Sequence, residues 1–348
     1  MAKGERHAGW SGFFMVFTAF AAVFLTLSRQ GQELVPTGSA AWQTLSVYEG
    51  AACWAVPALF MLWGMAALEE GDRGVAGALT GLALPCLCLL VFWGAVYAAA
   101  AHLLGGGEPT LKGVLDALWL AARGNTYFHL WILYPLLGLY LVHPVLRRFV
   151  SGADRGEVIY LLVLCFLFAG LLPLGEAFWP DHAAVRLLAR LQVHLALGFT
   201  GCYVGGWYLY AYTINRLSEF ILYLLGVLGL ALTVLGNRFL GGGRELWYSP
   251  TAPGVLLTAA ALCTLFRYVL GISDERSRRR AVYRLGFCAF GAYLFHQLWM
   301  LVLPRLGLSL AALNPVLSVP LFALALFLLS LPFSWALSAI PGAGKWLV

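Results

Sequence analysis

Four of the seven histidines, His129, His143, His194 and His296, are candidates for proton chemistry. An imidazole changes charge near neutral pH, so it can take a proton from a hydroxyl and return it. His129 stands between Tyr127 and Trp131 in NTYFHLWILYPLLGLYLVHPVLRRF, residues 125–149. Polar and aromatic residues open this stretch, about twenty apolar residues follow, and Arg147 and Arg148 close it, as in a membrane helix with defined ends. Pro135 and Pro144 fit a helix facing its neighbours, whose side chains satisfy the freed carbonyls. His129 is then either a member of an interfacial aromatic belt or a contact to a ligand at the helix mouth.

The elements that must position these residues are set by composition. The chain is 61% hydrophobic and 11% charged, with mean hydropathy +0.82; soluble domains carry about a quarter charged residues. Lipid is therefore the solvent for most of the surface, and the expected fold is an all-α bundle of transmembrane helices. Ten apolar spans are expected, at 10–28, 50–68, 78–104, 127–146, 158–175, 191–214, 220–240, 253–270, 285–303 and 316–338. They make one polytopic domain over 1–348, because short charged connectors such as 69–74 and 214–219 leave no room for a second. The first span is too long for a signal-peptide core and has no small-x-small site before Ser28. Gly105–Gly107 and Gly241–Gly243 read as turns, since no strand–loop–helix context marks a phosphate loop. No internal repeat argues for a transporter of two related halves.

Lys and Arg on alternate connectors number 13 on the side holding both termini and 8 on the other. That excess places both termini in the cytoplasm. The run DERSRRR at 274–280 dominates the count and reads as a retention signal, with attraction of a cofactor's phosphates as the competing reading. Net charge +6 is spread over loops, so no nucleic-acid partner is expected. The seven cysteines sit in apolar runs without CxxC or His-spaced sets and read as small packing residues; no metal is expected.

With this orientation His129 lies near the outer face, while His296, eleven residues past Leu285, falls ~16 Å into its span. His194 lies just inside the outer end of the sixth span and His143 near the inner end of the fourth. Ionisable groups in hydrocarbon are costly and face the bundle interior, though a neutral imidazole is the cheapest of them. Outside, Glu176, Asp181, His182, Arg186 and Arg190 interleave with Phe178 and Trp179, which suits a sugar acceptor or an ordinary solvated loop. Tyr127, Trp131, Arg123 and Glu176 make up the candidate substrate-binding set, and His296 and His129 the catalytic one.

Several stretches together resemble the acyltransferase 3 family, the ten-helix membrane O-acyltransferases of bacterial surface glycans. They are AVPALFMLWGMAALEE at 55–70, LPCLCLLVFWGAVYA at 84–98, YFHLWILYPLLGLYLVHPVLRR at 127–148, LWYSPTAPGVLLTAAALCTLFR at 246–267, FGAYLFHQLWMLVL at 290–303 and SWALSAIPGAGKWL at 334–347. Each alone is a loose apolar pattern; the HLW and AYLFH elements at their separation make the set specific. The similarity is greatest to the branch of enterobacterial common antigen O-acetyltransferase and intercellular-adhesin modification proteins.

The resemblance implies transfer of an acyl group, usually acetyl, from acetyl-CoA or another acyl-CoA to a hydroxyl of a lipid-linked or surface glycan. It also implies a bacterial inner-membrane location, with lipid and glycan as partners. The family's usual base is a His in the first helix, eleven positions after an Arg. Here Gly9 and Phe20 occupy those positions, Trp63 replaces the Ser of the FF-x-SG element, and the basic pair after the second helix is reduced to Arg73. Only His129 of HLW and His296 of AYLFH map onto surviving family positions. The alternatives are a catalytically degenerate member that binds or translocates a glycan or lipid, and an unrelated transporter. Glu69, Glu70, Glu176 and Glu245 all lie at span ends or in loops, so no intramembrane carboxylate is expected, which counts against ion-coupled transport.

Overall fold

Proline positions explain much of how the helices begin and break. Pro85 and Pro173 lack an N–H and crowd the carbonyl four residues back. The turns ahead of them widen into π-helix at Leu79–Ala83 and Phe166–Leu171. Pro57 acts similarly where Ala40–Ala52 gives way, through Cys53 and Trp54, to Ala55–Glu69. Helix starts are fixed by side chains: Ser39 accepts from the Trp42 N–H at 3.1 Å, and Asp154 with Glu157 forms a capping box.

The computed structural model describes residues 10–71, 73–105, 110–122, 128–193, 197–270, 280–308, 310, 314–342 and 344–347. It is 84% helical, with no strand among the described residues. Eight helices there are long and apolar enough to cross a membrane: Trp10–Glu33, Ala40–Glu69, Gly74–Leu104, His129–Gly152, Arg155–Phe178, Arg216–Phe239, Arg284–Leu306 and Pro315–Ser338. Two expected spans are shorter. The span at 191–214 contains the helix Thr200–Ala211, preceded by Gln192 in the left-handed region at φ 57° and ended by extended backbone at Tyr212. The span at 253–270 is the sixteen-residue helix Pro253–Tyr268.

Close packing depends on glycine at two crossings. A Cβ on Gly64 would overlap the backbone of Tyr203, and one on Gly206 would overlap Met61, so Ala55–Glu69 and Thr200–Ala211 touch main chain to main chain. Gly229 and Gly254 give Arg216–Phe239 and Pro253–Tyr268 the same intimacy. Six of the seven cysteines are buried among these helices.

Polar contacts gather at two ends of the bundle. Arg29, Gln32 and Arg244 converge on Glu49 at one. At the other, Arg155 donates to the Tyr208 hydroxyl at 3.1 Å and Arg267 to the Leu209 and Tyr212 carbonyls.

Candidate active site

The HLW element forms a 3-10 turn, Phe128–Ile132, that delivers the chain into Leu133–Gly152. His129 is buried in that turn, and its carbonyl accepts a 2.8 Å hydrogen bond from the Tyr293 hydroxyl. Tyr97 reinforces the junction, donating its hydroxyl to the Leu294 carbonyl at 2.5 Å and setting its ring edge-on to His129, centroids 4.8 Å apart. The AYLFH element lies within Arg280–Val302. One turn along it, His296 stacks on Tyr293, with centroids 5.5 Å apart, and meets His129 edge to face at 5.5 Å. The two histidines, 167 residues apart in the chain, are thus neighbours.

The tautomer of His296 follows from its contacts. Its Nδ1 meets the Tyr293 carbonyl, which can only accept, so Nδ1 carries the proton and Nε2 the lone pair. Nε2 is buried and makes no hydrogen bond among the described residues. A buried acceptor left unused costs about 1–3 kcal/mol and needs a reason.

A cavity of about 70 Å³ opens beside this pair, lined by His129, Trp131 and Tyr293 and, across it, by Arg29, Glu49 and Tyr248. That is room for a few waters, each of which needs about 10–15 Å³ of such space. His129 faces it; His296 does not line it and sits behind. Trp131 lines it too and is 36% exposed, its ring centroid 6.2 Å from that of Phe199.

Glu49 corrects the expectation that the spans hold no carboxylate. It lies within Ala40–Glu69 and is 1% exposed. Its Oε1 accepts from Arg29 Nε at 3.2 Å and from Arg244 Nε and Nη2 at 2.9 and 2.8 Å. Its Oε2 accepts from Gln32 Nε2 at 2.9 Å. Charge-assisted bonds on both oxygens offset the desolvation that otherwise excludes a carboxylate.

The other candidate residues are dispersed. Arg123, Tyr127 and His194 lie outside the described residues, as do 274–279 of the basic run. Glu176 is exposed on Leu172–Phe178 and lines neither this cavity nor its neighbour. His143 is buried and pairs through Nδ1 with the Tyr203 hydroxyl at 3.0 Å, joining two helices away from the cavity. Phe20 packs edge-on against Phe327 at 5.7 Å, and Trp63 lies edge-on to Phe60 and Phe290. Both are packing residues.

Fold and site define a helical membrane protein with a small cavity that one imidazole lines and a second backs. Residues 8–339 match the acyltransferase 3 family (acyltransferase domain), nearly the whole chain, and the chain belongs to that family. No curated protein and no solved structure matches it.

Proposed function

We propose that this multi-pass protein of the bacterial inner membrane transfers an acyl group, acetyl in the first instance, from a coenzyme A thioester to a hydroxyl of a cell-surface or lipid-linked glycan. Family membership supports membrane acyl transfer in general; donor, acceptor and residue roles are our reading. The observation that carries it is the His129–His296 pair beside a cavity that also holds a guanidinium.

In this reading the acceptor hydroxyl enters past Trp131 and gives its proton to His129, the imidazole lining the cavity. The hydroxyl oxygen bonds to the thioester carbonyl carbon, the C–S bond breaks, and the thiolate leaves with that proton. Arg29 faces the same cavity and supports the oxyanion as it develops. His296 acts from behind, its Nε2 lone pair turned to the interior. Ten crossings, read from the apolar spans, with both termini cytoplasmic, read from the 13-to-8 charge asymmetry, belong to the same proposal.

A second reading, a degenerate member that binds or moves a glycan or lipid, draws on Phe20 and Trp63, which fill the family's polar positions with packing. Purified protein in detergent separates the two. Release of free thiol from acetyl-CoA, increased by a glycan acceptor, supports transfer. Glycan binding with no thiol release supports the degenerate member.

A further inference from the structure

Next to the small cavity is a larger one, about 560 Å³, to which the transfer steps above assign no residue. Tyr248 lines both. The larger cavity lies between the ends of Trp10–Glu33, Ala40–Ala52 and Arg216–Phe239, and its polar walls are Gln32, Gln43, Asn237, Arg238 and Arg244, with Trp42 as the aromatic one. No carboxylate lines it among the described residues.

Its charge is unbalanced by construction. Glu49, behind the wall, draws Arg29 and Arg244 together and spends both oxygens on them and Gln32. One carboxylate therefore answers two guanidiniums, and Arg238 adds a third cation on the cavity side. Arg244 bonds Glu49 through Nε and Nη2, and none of the described hydrogen bonds uses its Nη1. The Arg29 and Arg244 side chains are 37% and 34% exposed, so each buries one edge and presents the other. Glu49 is thus a positioning residue, holding Arg244 at the cavity wall.

The remaining groups favour a sugar over a bare ion. Asn237 donates through Nδ2 to Ser46 and Tyr248, and Gln43 through Nε2 to the Gly38 carbonyl. Their amide oxygens stay available to accept from hydroxyls. The Trp42 indole offers an apolar face to the C–H side of a pyranose. The volume falls within the range of small-molecule sites.

We propose that this cavity binds an anionic sugar, one carrying a carboxylate or a phosphate, with its oxyanion on Arg238 and Arg244 and its ring against Trp42. The inference rests on the acyl-transfer reading for its biological sense: Tyr248 lines both cavities, so a sugar held here adjoins the one that His129 lines.

The test is calorimetry on the full-length protein in detergent, with no acyl donor, using glucuronate, glucose 1-phosphate, glucose and inorganic phosphate as probes. At least one sugar anion binds about tenfold or more tightly than glucose, because a charge-assisted hydrogen bond exceeds the ~1.4 kcal/mol of a tenfold change. The two sugar anions identify the oxyanion. Arg238→Gln, which leaves the Glu49 clamp untouched, weakens that binding about tenfold, and Arg244→Gln does so further. Glucose binding as tightly as both anions, inorganic phosphate matching them, or an Arg238→Gln variant with unchanged affinity overturns the proposal. Anion binding without thioester turnover leaves it standing and removes the transfer reading. Turnover on a neutral glycan with no anion binding does the reverse.

Discussion

His129 and His296 stand edge to face, 5.5 Å between ring centroids, although one comes from a 3-10 turn and the other from a helix more than 160 residues later. Tyr293 ties them together: its hydroxyl bonds the carbonyl of His129, and its own carbonyl meets Nδ1 of His296. An imidazole fixed through Nδ1 has its Nε2 aimed by the helix backbone and not by a flexible side chain. If the pair works as a unit, the contribution of each residue depends on the other.

His296→Gln and His296→Leu should each lower acyl transfer with little change in KM for the donor, since neither touches the cavity. Combined with a His129 substitution, the loss should be well short of the product of the two single losses. Fully multiplicative losses would show that His296 acts independently of His129.

Glu49→Ala should destabilise the protein by an amount near the lower end of the about 3–5 kcal/mol expected for breaking a buried ion pair. The lower end applies because the Arg29 and Arg244 heads reach water and are partly screened. A thermal-unfolding midpoint equal to wild type would mean that the clamp adds nothing to the fold. Glu49→Gln keeps the shape and should cost less.

Gly64→Leu should prevent Ala55–Glu69 and Thr200–Ala211 from meeting, at more than the ~1–3 kcal/mol of ordinary overpacking, because the clash is with backbone. Yield of folded protein from membranes reads this directly. Wild-type yield would show the helices to be further apart than described.

Phe20→His introduces the residue type that the resemblance implies for the first helix, but Phe20 packs on Phe327 and is absent from the cavity. No gain in thioester turnover is expected. A gain would return proton transfer to the first helix.

Much of this was legible from the chain. Length and apolarity alone predict eight of the ten expected spans, because a helix in lipid must be about twenty residues long whatever it packs against; 191–214 and 253–270 hold shorter helices. His129 and His296 stood out through short motifs, yet their contact was not readable, since it depends on the register of two helices distant in sequence. Glu49 escapes the apolar pattern for a simpler reason. The expected second span starts at residue 50, while the helix begins at Ala40 and carries Glu49 inside. The signal was present: Arg29 at the end of one span and Glu49 in the next form a ready pair across a short hairpin. Arg244, more than 190 residues from Glu49, gave no such sign.

The central claim, that a cavity-facing imidazole drives acyl transfer, is tested most directly by one rate. Acetyl transfer from acetyl-CoA to glycan is measured with purified wild-type protein and with His129→Gln, alongside the unfolding midpoint of each. Loss of a proton-transfer base typically lowers the rate about 10²–10⁴-fold, and that fall is expected here with the midpoint nearly unchanged. A folded His129→Gln protein that transfers acetyl at the wild-type rate would contradict the account.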